Sequence, residues 1–241
     1  MRPRAFLITL LLLAAALAAP GVILDRIAAT VNQQVIAESD VIRYLRVAAF
    51  LDRKPVDLSG KARRAAASRM VDQVLMFQEA ADTRIPLPSA EDAAKLVDQV
   101  KAQYPTPEAY RAALAQYHIT EADLSEHLLA GLRASRFTDL RFRPEVEISD
   151  QDLHDYYNTL VESWRKAGQT NIPTFEESRA QLTKLLTEQR EMQALDQWLA
   201  MDRTEAQIQY RPDAFRDETV AGGASEAAAP QGKPEPGSVS P

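Results

Sequence analysis

The chain has 241 residues, no cysteine, three histidines and a formal charge of −6. Without thiols there is no disulfide, no thiolate metal site and no lipid-modified cysteine, and the acidic balance argues against nucleic acid as a partner. Five of the eight glycines lie towards the ends (Gly21, Gly222, Gly223, Gly232 and Gly237). The body keeps only Gly60, Gly131 and Gly168, too few and too scattered for a phosphate loop, a dinucleotide fingerprint or a nucleophile elbow. Such scarcity suits long helices.

Residues 1–18 read as a cleavable signal peptide: Arg2 and Arg4, an apolar run from Phe6 to Leu13 broken by Thr9, then the small-residue site Ala16-Leu17-Ala18. An uncleaved anchor is the alternative. Cleavage takes the formal charge to −8. The expected product starts near Ala19, is periplasmic or exported, and has no stable membrane insertion.

The next stretch, 23–46, reads as strand, turn, strand and capped helix. Ile27, Ala29 and Val31 alternate with Ala28 and Thr30. Asn32 tolerates the positive φ of a tight turn. Val35 and Ile36 form the return strand, and Ser39 is the expected helix cap, with Asp40 at the positive helix end. A lone hairpin is marginal in water, so a third strand is expected from elsewhere.

That helix runs to about Leu51, with Val41, Leu45 and Ala48 on one face. A second spans about Ser59 to Arg84, its stripe formed by Met70, Val74, Phe77 and Ala81 and widened by Val71 and Leu75. Ser89 with Asp92, Thr120 with Asp123, Ser149 with Asp152 and Thr174 with Glu177 are capping boxes or close to them. Thr106 caps a short helix with Pro107 at its first position. The last long helix carries Phe175, Leu182, Leu185, Met192 and Leu199 on its expected buried side. Ala206, Ile208 and Tyr210 then alternate as a strand that Pro212 ends. From about Arg216 the chain is mostly Ala, Gly, Ser, Pro and Glu, a composition expected to stay disordered.

Three segments resemble the SurA-type periplasmic chaperones and their PrsA-like relatives: the opening DRIAATVNQQVIAESDV (Val31, Asn32, Val35, Ile36, Glu38, Ser39 and Asp40), the junction EVEISDQDLHDYY (Glu145–Tyr157), and the helix–turn–strand from Phe175 to Tyr210. Gln33 and Gln34 depart from the Asp or Gly that the family often has in the turn. The resemblance implies a mainly α fold: a multi-helix chaperone lobe with a small N-terminal β-hairpin joined by the C-terminal strand. Together with the leader and tail read above, it divides the chain into 1–18 (signal peptide), 19–157 (helical chaperone lobe), 158–212 (helix and strand packing back on the hairpin) and 213–241 (disordered tail). Relatives carry a parvulin-type isomerase domain between the last two matches, which takes on the order of 90 residues. Here only 17 residues separate Tyr157 from Phe175, so that domain and its activity are expected to be missing.

Chemistry-bearing clusters are sparse. His118, His127 and His154 have no metal-site spacing. Glu145, Glu147, Asp150, Asp152 and Asp155 collect at a helix start, where the dipole favours acids, and lack the glycine of a calcium loop. No cofactor and no metal is expected. The remaining candidate is an apolar polypeptide-binding surface formed by Met70, Met76, Phe77, Tyr104, Tyr110 and Tyr117, because Met and aromatic side chains repack around varied partners. The alternative for each is a place in the core at helical spacing. The function implied is ATP-independent holding of unfolded polypeptides such as outer-membrane protein precursors. A prolyl isomerase related to PrsA, or an envelope scaffold with one dedicated partner, are the alternatives; the oligomeric state is left open.

Overall fold

The computed structural model describes residues 25–217; the expected signal peptide and residues 218–241 lie outside them. The described chain is mainly helical, with one small antiparallel sheet. Strands β1 (Ile27–Val31), β2 (Gln34–Ala37) and β3 (Ile208–Tyr210) are ordered β2-β1-β3, so the third strand does come from the far end of the chain. Ala29, Thr30 and Val31 face Ile36, Val35 and Gln34 on one side and Tyr210, Gln209 and Ile208 on the other.

The expected alternation fails at the start of β1. Ala28, Ala29 and Val31 are buried and Ile27 is exposed, because the register with β2 shifts between Ile27 and Ala29. Such an irregularity re-aims the side chains before it.

Helix α1 (Glu38–Asp52) begins two residues earlier than expected. Ala37, not Ser39, is its cap, and the Asp40 carboxylate accepts from the Ala37 N–H at 3.3 Å. The Ser39 hydroxyl instead donates to Asp25. Helix α2 (Gly60–Asp82) lies against the sheet with Ala66, Ala67, Val71 and Leu75 buried. Its buried stripe runs through Val71 and Leu75, expected at its edge, and then Met76 and Ala80, so Met70, Val74 and Phe77 are half-buried and Ala81 is exposed. Helices α3 (Ala90–Lys101), α4 (Pro107–Gln116) and α5 (Glu121–Phe142) come next, and all three begin where the capping residues predict.

Helix α6 (Asp150–Lys166) and helix α7 (Phe175–Glu205) are joined by residues 167–174. Gly168, at φ 78°, closes α6 in the left-handed region, and Gln169 N–H reaches Trp164 O at 2.9 Å. The boundary expected at 157/158 therefore falls inside one continuous helix. Leu153, Leu182 and Leu186 give this arm its own small core. Helix α7, about 46 Å long at 1.5 Å per residue, carries on from the arm to the sheet. Met192, expected on its buried side, is half exposed, while Leu186 and Leu195 are buried.

Three further apolar clusters hold the body together. The first joins the sheet, α1 and α2; the second joins Val47 and Phe50 of α1 to α3, α4 and α5; the third packs Met76 and Ala80 against Phe137, Phe142 and Leu195. Helix α1 thus serves two cores, and its Val47–Phe50 face was not among the positions the spacing singled out. Residues 213–217, assigned to the disordered tail, are packed. Ala214 is buried in the 3₁₀ turn Pro212–Phe215, the Arg63 guanidinium donates to Arg216 O at 2.6 Å, and Asp217 accepts from Gly60 N–H.

Candidate functional site: a tyrosine and proline groove

Phe50 near the end of α1 is the floor on which three tyrosines assemble. Tyr104 lies parallel to it at 6.2 Å and Tyr117 meets it edge-on at 5.7 Å; Tyr104 and Tyr110 are edge-to-face at 5.5 Å. Local sequence sets this up. α3 ends at Lys101, so Tyr104 and Pro105 fall in the turn after it. The Thr106 hydroxyl accepts from Ala109 N–H at 3.1 Å, and Pro107 occupies the first position of α4. Four residues into that helix, Tyr110 faces back towards Tyr104.

The outcome is an open groove of about 810 Å³ between α3 and α4, lined by Ala102, Tyr104, Pro105, Pro107, Tyr110 and Leu114. Pro105 and Pro107 are exposed on its lip, Tyr104 is half-buried, and Tyr110 and Leu114 form its base. Lys101 and Glu121 pair at 2.8 Å on the rim, and this hydrogen bond holds the lysine pKa above its ordinary value. Arg53 donates to Gln103 at 3.0 Å, fixing the turn that carries Tyr104. Burial, with the nearby Glu121 charge, pushes the Tyr110 phenol up to about 12, and burial also raises Tyr104. Both hydroxyls therefore stay protonated at any physiological pH. The groove offers aromatic and proline faces, with two cations (Lys101, Arg111) and two carboxylates (Asp98, Glu121) at its edge. That set suits an extended apolar segment, whose ring and aliphatic side chains gain from aromatic contact.

The six side chains singled out from the sequence do not share one surface. Tyr104, Tyr110 and Tyr117 come together, but Tyr110 is a core residue, only 4% exposed. Met70 packs on the sheet core and edges a separate cleft of about 190 Å³ beside Tyr44, Arg43 and His127. Met76 is buried and Phe77 half-buried in the third core. Met76 also touches the floor of another groove, about 720 Å³, between α5 and α7, with Leu132, Met192 and Leu195. Pro105, Pro107, Lys101 and Glu121 were not singled out. Prolines and charges at helix ends read as caps and stops unless the fold turns them to one side.

The titratable groups have local work. Burial beside Tyr44 pushes His127 below its ordinary value. His154 stacks on Phe175 at 3.8 Å, and His118 ends α4 at φ 53°. In the acidic cluster, Asp152 pairs with Arg190 at 2.6 Å, Asp150 with Arg179, and Glu145 with Arg141 at 2.8 Å. Among the described residues, no three His, Asp or Glu side chains gather as a metal site, and no helix is long and apolar enough to cross a membrane. No protein-family model matches the chain, and no curated protein matches it.

Proposed function

We propose that this chain is an ATP-independent holding protein of the cell envelope, and that it retains unfolded polypeptides, outer-membrane protein precursors among them, at the groove between α3 and α4. The observation that carries this reading is the groove itself: exposed Pro105 and Pro107 and half-buried Tyr104 over an apolar base, on a well-packed lobe. Aromatic and proline faces accept many side chains without requiring one shape. The Lys101–Glu121 pair at the rim can meet exposed backbone or a passing charge. The groove between α5 and α7, part apolar and part charged, offers a second contact area.

The envelope location rests on the resemblance of residues 1–18 to a signal peptide. Eight residues, 167–174, connect α6 to α7, which supports a chain without isomerase activity. Affinity is expected near micromolar, because a held client loses chain entropy.

The test is light scattering of a diluted, denatured porin with and without the chain, at low and high salt and without nucleotide. Suppression that persists at high salt is expected, since apolar contact is not screened. No suppression at several-fold excess of folded protein would favour the scaffold with one dedicated partner.

A further inference from the structure

The described part of the chain ends at a defined place. Asp217 is bound to Gly60 N–H at the start of α2, and Arg216 O is held by Arg63. The connection from Gly60 back to Arg53 leads directly to the tyrosine groove, because Arg53 is bonded to Gln103, the neighbour of Tyr104. Seven residue steps separate Arg53 from Gly60, so that part of the path is at most about 25 Å. Beyond Asp217, thirteen residue steps lead to Pro230. Their contour is about 45 Å, and a Gly- and Ala-rich linker of that length has a mean span of about 20 Å.

The segment beyond this linker matches the groove. Residues 228–236 read Ala-Ala-Pro-Gln-Gly-Lys-Pro-Glu-Pro, with Pro230, Pro234 and Pro236 around Lys233 and Glu235. Proline-rich segments dock into aromatic-lined grooves at low entropic cost, because their extended form is largely preset. The groove supplies Tyr104 with Pro105 and Pro107, and its rim bears Asp98 and Glu121 to meet Lys233, and Lys101 and Arg111 to meet Glu235. By contrast, the groove between α5 and α7 has no aromatic lining.

We propose that residues 228–236 of this chain dock in its own groove between α3 and α4 and compete there with incoming polypeptide. The competition rests on the holding function proposed above; the docking does not. A tether this short gives an effective concentration in the millimolar range. A segment that binds only at about 100 µM when free would then occupy the groove most of the time and weaken client binding roughly tenfold.

The test uses the full chain with ¹³C-labelled tyrosine rings, compared with the full chain carrying Pro230→Ser, Pro234→Ser and Pro236→Ser. The Tyr104 ring signal is expected to shift between the two, while Tyr156 and Tyr157 on α6 stay fixed as a check on folding. A synthetic peptide of residues 226–241 added to the substituted chain is expected to move the Tyr104 signal back. Superimposable tyrosine spectra, or a peptide without effect, would overturn the docking. With docking established, the substituted chain is expected to bind an unfolded porin segment about tenfold tighter, and equal affinities would overturn the competition. Ring shifts in a chain that holds no client would refute the holding function and leave the docking standing, so the two failures are distinct.

Discussion

Asn32 and Gln207 bond to each other twice across 175 residues of sequence. The Asn32 N–H donates to Gln207 O at 2.9 Å, and Gln207 N–H donates to the Asn32 side-chain oxygen at 3.0 Å. Asn32 also holds the left-handed turn of the hairpin, at φ 51°. One residue therefore closes the β1–β2 turn and receives the strand that completes the sheet. Asn32→Ala loses both side-chain bonds, that from Gln207 N–H and that to Gln78 Oε1 at 2.9 Å, and strains the turn; a loss of about 2 kcal/mol is expected in denaturant unfolding. Asn32→Gly keeps the turn and loses only the two side-chain bonds, so it is expected to lie between the two. Equal stability of all three would mean that the ends of the chain are not coupled here.

Gly60 is needed for close approach. A Cβ at this position would stand 1.9 Å from Phe215 O, and the obstacle is backbone that cannot rotate away. Gly60→Ala is expected to displace residues 212–217, unpack Ala214 and lower stability by about 2–3 kcal/mol, despite the better helix propensity of alanine. Faster proteolytic cleavage after Arg211 is the local signature; an unchanged cleavage pattern would contradict it.

The Tyr110 hydroxyl is buried and makes no well-formed hydrogen bond, with only a poorly aligned approach to the Glu121 carboxylate. Leaving such a group unpaired costs on the order of 1 kcal/mol or more. Tyr110→Phe is thus expected to raise stability by about 1 kcal/mol, read from the unfolding midpoint, whereas Tyr110→Ser opens the second core and costs several kcal/mol. Because of that cost, replacing the three tyrosines together cannot separate binding from folding. Tyr104→Ser, at a half-buried position, is the usable binding variant.

Acid is expected to weaken the helix starts. The hydrogen bonds from Ser149 hold Asp152 below the usual carboxylate range, those from Ser89 do so for Asp92, and those from Thr174 for Glu177. A folded-state pKa below the unfolded one means stability that is fully present above the unfolded pKa and lost as pH falls through the folded one. Stability should therefore decline as pH drops below about 4. Asp72, raised by burial despite Arg203, acts in the opposite sense: its contribution improves as pH falls. Ser149→Ala is expected to make the acid side of the stability–pH curve shallower; a curve identical to that of the parent would mean that this cap contributes nothing to the acid response.

Much of the helical framework was legible because its signals are local. Thr120 with Asp123, Ser149 with Asp152 and Thr174 with Glu177 each read correctly, since a cap and its third neighbour meet without help from the rest of the chain. The partnership of β1 with β3 was readable from an unpaired hairpin and a late alternating strand. Where tertiary contact decides, the pattern misled. The shift at Ala28 exposes Ile27, Asp25 captures Ser39, and the Arg63 clamp orders residues that composition alone would leave loose. The groove was half legible. Its tyrosines stand out by type, but Pro105, Pro107, Lys101 and Glu121 join them only because α5 returns along α3 and the turn at 102–106 sets the start of α4 at the end of α3.

The most direct measurement is a map of where a client touches the chain. A photo-crosslinking residue is placed at Ala102, exposed on the lip of the groove, and in a second protein at Glu162, exposed on α6. Each is illuminated with a freshly diluted, denatured porin. Client crosslinks at position 102 are expected to exceed those at 162 several-fold, and Tyr104→Ser is expected to bring the two close together. Equal crosslinking at both positions, unaffected by Tyr104→Ser, would contradict the claim that this groove holds the client.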